Sequence, residues 1–254
     1  MDLGLRDKNV LITGSTAGIG RRIANLFAAE GANVAICSRT PESVNKAIKE
    51  ISLTADGQII GAPCNIKDKD DYEKWVQDMA EELGGVDIFV PNVSAGGGND
   101  SEKNWWKNFE VDMLGTVRGV EAVLPIMEEQ GGGAITMISS TAAIETFMEP
   151  QPYNAMKAAL ITYAKQLSQA HGENNIRVNS VSPGPIHFEG GAWEMIKTSN
   201  EKFFAITEKT HALKRMGTPE EVANCVVFLS SNAASWVTGV NLVVDGGYTK
   251  RVQF

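Results

Sequence analysis

The stretch NVLITGSTAGIG, residues 9–20, decides the fold. It opens with a short apolar run from Asn9 to Thr13, which is typical of a strand that is buried on both faces of a sheet. The glycines that follow permit a tight turn and let the backbone approach a bound group closely. A helical pattern from Ile19 to Glu30 comes next, and the free N–H groups at a helix N-terminus bind phosphate. We therefore expect a phosphate-binding turn that consists of Gly14, Ser15, Thr16, Gly18, Ile19 and Gly20.

Short apolar runs and helical patterns alternate along the rest of the chain. Further helices are predicted at Pro41–Ile51 and Lys69–Leu83, and the two longest at Asn104–Glu129 and Tyr153–His171. Strands are predicted at residues 9–13, 34–38, 59–64, 88–92, 134–139, 177–182 and 241–244. This alternation predicts an α/β fold, a Rossmann-like, doubly wound parallel sheet of about seven strands with helices on both faces. No linker or repeat divides residues 1–254, so we expect a single domain.

The composition sets limits on the class of protein. Hydrophobic residues make up 43% of the chain and charged residues 21%, which is ordinary for a globular protein and excludes disorder. The formal net charge of −8 argues against nucleic acid or an anionic membrane as a partner. Cys37, Cys64 and Cys225 are odd in number and widely spaced, so we expect reduced thiols, no disulfide framework and no metal site. The sequence carries no recognisable targeting signal, and we expect a cytoplasmic protein.

The end of the second predicted strand indicates which dinucleotide the fold binds. An acidic residue there would accept a hydrogen bond from a ribose 2′-hydroxyl and repel a 2′-phosphate. The strand instead ends with Ser38 and Arg39, which can donate to a phosphate. This favours NADP(H) as the cofactor. NAD(H) stays open as the alternative, since Arg39 could also be a solvated loop residue.

Tyr153 and Lys157 lie four residues apart at the start of a predicted helix. This spacing places both side chains on one face of the helix, where the ammonium favours the phenolate and thereby acid–base chemistry. On spacing alone, a surface pair is the more common explanation. The context changes this, because the strand that ends with Ser139 and Ser140 places hydroxyls thirteen residues before Tyr153.

Together with the glycine-rich turn, spaced G-x-x-x-G-x-G, these residues resemble the short-chain dehydrogenase/reductase family. The resemblance extends over essentially the whole chain, and the order and spacing of its short motifs are specific. The further motifs are Asn65-Ile66, Asn92, Pro183-Gly184-Pro185-Ile186, the stretch Arg215–Ala223, Thr238-Gly239 and Asp245-Gly246-Gly247.

The resemblance implies a catalytic role for three residues. Tyr153 would be the general acid in carbonyl reduction and the base in alcohol oxidation. Lys157 would bind the nicotinamide ribose, and Ser140, rather than Ser139, would polarise the carbonyl group.

The resemblance also implies the cofactor contacts and the assembly. Asn65 and Ile66 would flank the adenine, Asn92 the adenosine ribose region, and Ile186, after Pro183 and Gly184, the nicotinamide carboxamide. The family assembles as a tetramer or a dimer, so a homo-oligomer is expected, with contacts through the two longest helices.

The chain departs from the family pattern at three places. Asp112 stands where the family has an asparagine that holds a water in the proton relay to the lysine. We expect Asp112 to keep a relay with a shifted pH optimum. Only Asn92 remains of a pair of asparagines, and Phe188 replaces a threonine that donates to the cofactor, which suggests an apolar wall.

By the same resemblance, residues 187–212 are expected to be a mobile lid over the substrate. The segment carries several large apolar side chains, which would exclude water and favour a hydrophobic substrate. The leading hypothesis is an enzyme that transfers a hydride between NADP(H) and a secondary alcohol/ketone pair, including 3-oxoacyl-type compounds. The alternatives are an NAD-linked alcohol dehydrogenase and a cofactor-binding protein without turnover. An enoyl reductase is less favoured, because that branch of the family spaces its Tyr and Lys more widely.

Overall fold

A computed structural model describes residues 2–147 and 149–252. Its centre is one seven-stranded parallel sheet with the order β3-β2-β1-β4-β5-β6-β7. The strands are β1 Asn9–Ile12, β2 Asn33–Ser38, β3 Ile59–Pro63, β4 Ile88–Val90, β5 Gly133–Ile138, β6 Ile176–Pro183 and β7 Asn241–Val244. The predicted doubly wound parallel sheet of seven strands is confirmed, and each strand lies within two residues of its predicted bounds.

The first strand shows why the predicted strands are apolar runs without alternation. All four residues of β1 are buried. Val10 and Ile12 belong to the hydrophobic cluster on one face of the sheet, whereas Leu11 belongs to the cluster on the other face. Because helices cover both faces, each side of the strand must be apolar. The sheet therefore separates two hydrophobic layers.

The helices pack against both faces of the sheet. They are α1 Gly18–Ala29, α2 Pro41–Ile51, α3 Lys69–Leu83, α4 Glu102–Asn108, α5 Gly115–Gln130, α6 Pro152–Ala170, α7 Ala192–Ser199, α8 Glu201–Thr210 and α9 Pro219–Ser230. Side chains cap some of them: Asp68 accepts from two backbone N–H groups of α3, and Thr218 forms a capping box with Glu221 on α9. No helix among the described residues is long and apolar enough to cross a membrane.

A π-helical segment interrupts the predicted helix between Asn104 and Glu129. The prediction of one regular helix is wrong here, because residues Phe109–Leu114 form the wider π turn between α4 and α5. A π turn adds a residue to the turn and shifts the faces of the helix on either side of it. Asp112, in the middle of this segment, is completely buried. The spacing of apolar residues in the sequence does not reveal the extra residue of a π turn.

The strand order reverses between β1 and β4, and this brings the carboxyl ends of the two strands together. The glycine-rich turn follows β1, and Asn92 follows β4. The backbone N–H of Asn92 donates to the Thr13 hydroxyl at 3.1 Å, and the N–H of Thr13 donates to the carbonyl of Val90. Ligands of open α/β sheets bind at such a reversal. The fold therefore places the candidate site at the carboxyl edge of β1 and β4.

Candidate active site

The turn between β1 and α1 has the geometry of a phosphate cradle. Gly14 and Gly18 have φ angles of +62° and +56°, in the left-handed region that favours glycine. A Cβ on Gly20 would lie 2.5 Å from the carbonyl oxygen of Gly14. Helix α1 begins after Ala17, which has no side chain that could cap it, and its first turn contains no acidic residue. The N–H groups at this helix end are thus available to an anion, which fits a dinucleotide.

The side chains of Asn92 and Ser15 fix the backbone of this turn by hydrogen bonds. The amide of Asn92 donates to the carbonyls of Thr13 and Gly14, at 3.1 and 3.0 Å. The Ser15 hydroxyl donates to the Ile12 carbonyl and accepts from the Cys37 N–H. The hydroxyl of Ser15 is therefore committed to the turn, and what the turn offers a ligand is mainly backbone.

The structure brings the residues expected at the adenosine end to one edge of the sheet. The N–H of Cys64, just before Asn65 and Ile66, donates to the carbonyl of Ser38. Ile66 is buried beside Gly115, while Asn65 is exposed. Arg39 is exposed, and within residues 2–147 and 149–252 no carboxylate forms an ion pair with it.

Thr40 and Ser43, which the sequence analysis did not predict, form a cluster of hydroxyls with Ser38 next to Arg39. The hydroxyls of Ser38 and Ser43 are in contact, and the Thr40 hydroxyl donates to that of Ser43 at 2.8 Å. Three hydroxyls and a free guanidinium thus lie at the end of β2. The local sequence SRTPES contains this signal, since hydroxyl residues at the start of a helix share one side of its first turn.

Tyr153 and Lys157 share one face of the first turns of α6, as predicted. Pro152 occupies the first helical position, which suits its fixed φ angle. The Lys157 ammonium lies 5.7 Å from the centroid of the Tyr153 ring and donates to the Ile138 carbonyl at 2.9 Å. The Ser139 hydroxyl donates to the Lys157 carbonyl at 2.8 Å. Strand β5 thereby fixes the position of the helix that carries both residues.

Asp112 contacts Lys157 directly. One carboxylate oxygen lies 3.1 Å from the ammonium, and both side chains are almost completely buried. The contact is an ion pair whose heavy-atom angles lie outside those of a hydrogen bond. The other oxygen accepts from the Ala95 N–H at 3.0 Å. The sequence analysis expected Asp112 in the proton relay to Lys157, and the structure places its carboxylate in direct contact with that ammonium.

A cavity of about 720 Å³ opens beside these residues. Ser140, Tyr153 and Lys157 line it. The expected coenzyme residues Ile19, Asn92, Pro183, Gly184 and Ile186 line the same cavity. Ser140 is half-buried there, whereas the neighbouring Ser139 is buried with its hydroxyl bonded to Lys157. This arrangement supports Ser140 as the serine that faces a ligand.

A second, more polar crevice lies at the opposite, amino end of the sheet and has about 350 Å³. Its cations are already paired: Lys8 binds Asp87 at 2.7 Å, and the Arg177 guanidinium donates to backbone carbonyls that include those of Leu229 and Ser230. None of the residues expected to bind or react lines this crevice. The cavity at the carboxyl end is therefore the candidate active site.

The segment expected to be a lid consists of α7 and α8, and it forms one wall of the cavity. Phe188, Trp193, Ile196 and Phe203 line the cavity, and the Phe188 ring also packs against Gly18 of the phosphate turn. The apolar wall expected at position 188 is therefore present. Other large side chains of the segment do not face the cavity: Phe204 is buried in the body, while Met195 and Ile206 are exposed.

Four of the cavity-wall residues that the sequence analysis missed carry large or polar side chains. Phe147, Gln151 and Asn154 lie before and within the start of α6, and Tyr248 lies in the C-terminal segment. Phe147 and Tyr248 stack at 4.9 Å although they are far apart in the chain. No sequence pattern indicates them, because both aromatic residues lie outside helices and strands.

Comparisons with known proteins show what this chain is similar to. A profile of the family described as enoyl-(acyl carrier protein) reductase matches residues 14–249. The isoepoxydon dehydrogenase of Penicillium expansum is 36% identical, over 99% of this chain and 98% of its own. Dehydrogenase/reductase SDR family member 4 of Sus scrofa is 36% identical, over 98% of this chain and 89% of its own.

Solved structures agree as well. The L-sorbose reductase of Gluconobacter frateurii, in complex with NADPH and L-sorbose, has a TM-score of 0.91 and 29% identity, over 99% of this chain and 100% of its own. A 7α-hydroxysteroid dehydrogenase in complex with NADH and 7-oxo glycochenodeoxycholic acid has a TM-score of 0.89 and 32% identity, over 97% of this chain and 96% of its own. The sheet order, the cavity and these similarities lead to one conclusion: the chain belongs to the short-chain dehydrogenase/reductase family and is an oxidoreductase, consistent with action on CH–OH groups.

Proposed function

We propose that the chain catalyses hydride transfer between NADP(H) and a secondary alcohol/ketone pair. The observation that carries this proposal is the single cavity that Ser140, Tyr153 and Lys157 share with the expected nicotinamide-side residues. A cofactor bound there supplies or accepts the hydride. In reduction, the Ser140 hydroxyl donates to the carbonyl oxygen, and Tyr153 then gives that oxygen its phenolic proton. In oxidation, the phenolate of Tyr153 takes the proton from the alcohol.

Lys157 has two roles in this proposal. Its ammonium lies beside the Tyr153 ring and stabilises the phenolate that remains after proton transfer. It also offers N–H donors to the ribose hydroxyls of a bound cofactor. Asp112 holds this ammonium in place and balances its charge. We therefore place Asp112 behind the reacting groups, as a positioning residue that acts on Tyr153 through Lys157.

The residues of this cavity favour an enzyme over a protein that only binds the cofactor, and they favour a carbonyl substrate over an enoyl substrate. A protein that only binds the cofactor has no chemical need for Ser140, Tyr153 and Lys157 together. The family profile carries the name of an enoyl reductase, but Tyr153 and Lys157 are only one helical turn apart. This spacing, with Ser140 on the same cavity, favours reduction of a carbonyl group over reduction of a carbon–carbon double bond.

The proposal is tested by steady-state assays of a panel of ketones and alcohols with NADPH, NADP⁺, NADH and NAD⁺. We expect ketone-dependent oxidation of NADPH. If NADPH binds but no ketone or alcohol changes its redox state, the chain is a cofactor-binding protein without turnover. If only enoyl compounds react, the alternative within the family is correct.

Arg39 and the hydroxyls of Ser38, Thr40 and Ser43 support NADP(H) as the cofactor. A free guanidinium among hydroxyl donors suits a 2′-phosphate, and no carboxylate stands at the end of β2 to bind a ribose hydroxyl instead. The solved relatives include one complex with NADPH and one with NADH, so they leave both cofactors open for this chain.

Replacing Arg39 tests this cofactor preference. Arg39→Asp should weaken NADPH binding by roughly 2 kcal/mol or more, because a charge-assisted contact becomes a repulsion. NADH binding should hardly change. Fluorescence titrations measure both affinities, and Lys49→Asp on the exposed side of α2 controls for the same change in net charge. Unchanged NADPH affinity in Arg39→Asp would show that the arginine is only a solvated loop residue.

We also propose that the protein is a homo-oligomer. Trp236 is 99% exposed, and Val240 beside the edge strand β7 is 39% exposed. Large apolar side chains at a sheet edge favour contact with another chain. Sedimentation velocity measures the assembly, and a monomer at micromolar concentration contradicts it. A cytoplasmic location stays a prediction from the sequence.

A further inference from the structure

The cavity offers the substrate a compact space. Its volume of about 720 Å³ lies within the range of small-molecule sites, about 300–1,000 Å³. The nicotinamide end of the cofactor must share this volume, since Ile19, Asn92 and Ile186 are among the lining residues. The remainder lies between Ser140, Tyr153 and the lid helix α7. This space suits a small, compact molecule better than a long chain.

Two flat aromatic surfaces from separate parts of the chain line this space. Trp193 and Phe203 of the lid stack at 5.9 Å with 23° between their planes. Phe147 and Tyr248 stack at 4.9 Å with 28° between their planes. His211 packs on the other face of this region at 4.7 Å from Tyr248, which supports the ring from behind. Flat aromatic faces bind the faces of rings well, so these surfaces favour a cyclic skeleton.

The cavity has no free charge with which to bind an ionic substrate. Among the described residues that line it, Lys157 is the one charged side chain, and its ammonium lies 3.1 Å from the Asp112 carboxylate. Burial, and to a smaller extent the Glu145 carboxylate, raises the pKa of Tyr248, so this phenol stays neutral. A carboxylate or phosphate in the cavity would lose water without gaining a cation, which is costly. The walls therefore disfavour substrates whose carboxylate or phosphate must enter the cavity together with the reacting carbonyl.

Polar groups are nevertheless present away from the reacting carbonyl. The amides of Gln151 and Asn154 and the hydroxyl of Thr146 line the cavity. Across residues 2–147 and 149–252, these three side chains make no hydrogen bond to the protein, so they can bind oxygen atoms of a ligand. An unpaired amide in a cavity is stabilised by such a partner.

We propose that the substrate is an uncharged cyclic ketone that carries at least one further oxygen, such as a ring diketone or a hydroxyketone. The proposal rests on the carbonyl reduction argued above and narrows it to one chemical class. The ring lies against the aromatic surfaces, its reacting carbonyl meets Ser140 and Tyr153, and its second oxygen accepts from Gln151 or Asn154.

A matched pair of substrates tests the charge preference. The wild-type enzyme should reduce 3-oxocyclohexanecarboxamide with a kcat/KM at least about 100-fold above that for 3-oxocyclohexanecarboxylate, because only the carboxylate must be desolvated as an ion. Gln151→Arg adds a cation to the wall and should raise the value for the carboxylate at least about tenfold. Gln151→Met is the neutral control. It should lower kcat/KM for both substrates and leave the carboxamide the better substrate.

A second comparison tests the preference for a ring. Phe147→Leu and Phe203→Leu should lower kcat/KM for the cyclic keto-amide about three- to tenfold more than for levulinamide, an open-chain keto-amide, because they remove an aromatic face. Leu53→Ala, at a residue that is 79% exposed after α2, is the control and should affect neither substrate.

Two outcomes separate this proposal from the function on which it rests. Equal kcat/KM for the carboxylate and the carboxamide, or a preference for levulinamide over the ring, overturns the substrate class while ketone reduction stands. If neither keto-amide nor any other ketone is reduced with NADPH or NADH, carbonyl reduction itself is wrong, and the substrate class falls with it.

Discussion

At the scale of single residues, Asp112 and Lys157 form a buried ion pair beside the cavity. Two buried charges 3.1 Å apart stabilise each other, and removing one of them leaves the other without a partner. The Ile138 carbonyl and the Ala95 N–H complete the pair from β5 and from the loop after β4. The carboxylate of Asp112 therefore offsets part of the positive charge beside Tyr153.

Asp112→Asn tests this account through the pH dependence of turnover. The amide keeps the shape and can still accept from Ala95, but the negative charge is gone, so the ammonium favours the phenolate of Tyr153 more strongly. In alcohol oxidation, where the phenolate is the base, we expect the ascending limb of the pH–rate profile to move to lower pH by about one unit.

A control variant and two possible results of this measurement decide whether the account is wrong. Asp78→Asn removes a carboxylate that pairs with Lys74 on the surface of α3, and it should leave the profile unmoved. If Asp112→Asn leaves it unmoved as well, Asp112 lies outside the proton path. If Asp112→Asn lowers kcat at every pH without a shift, its role is structural.

How far sequence alone predicts the site depends on the distance between its residues along the chain. Tyr153 and Lys157 share a helix, so their spacing predicts that they lie together. Ser140 and the residues after each strand follow from the rule that parallel strands end at one edge. Phe147 and Tyr248 could not be predicted, since their stacking depends on how the C-terminal segment crosses the loop after β5. Direct contact between Asp112 and Lys157 also requires the structure, because the π segment sets the direction of Asp112.

At the scale of elements, cofactor binding by the turn before α1 depends on a few residues. Gly18 shows this: its φ of +56° disfavours a side chain, and a Cβ would lie 2.7 Å from the Phe188 ring. The ring of the lid segment and the phosphate turn are thus in contact. A change in the turn must affect both the backbone and the packing of residue 188.

Gly18→Ala should therefore weaken NADPH binding at least about tenfold, as a left-handed alanine costs about 1–2 kcal/mol and the clash with Phe188 adds to it. Gly131→Ala is the matched control. Its φ is +82°, it follows α5, and a Cβ there meets nothing within 4 Å. Fluorescence titration with NADPH measures affinity, and urea unfolding measures stability.

We expect Gly131→Ala to lose stability while it binds NADPH normally. If Gly18→Ala also binds NADPH normally after a similar loss of stability, the turn between β1 and α1 is not the phosphate site.

At the scale of the whole molecule, the alternation of apolar runs and helical patterns was enough to predict the sheet. Strands buried on both faces have no alternation, and right-handed crossovers leave few arrangements open. The interruption of the helix at Phe109–Leu114 was not predictable, since π and α turns have similar apolar patterns over six residues. The sheet order then places the turn after β1, the hydroxyls after β5 and the start of α6 around one cavity.

The central claim is that this cavity transfers a hydride with Tyr153 as the acid. The most direct measurement is single-turnover oxidation of bound NADPH by a reactive diketone such as diacetyl, in the wild type and in Tyr153→Phe. We expect the variant to bind NADPH and to lose at least about 100-fold in rate, because only the phenolic proton has been removed. A Tyr153→Phe variant that reduces diacetyl as fast as the wild type would contradict the claim.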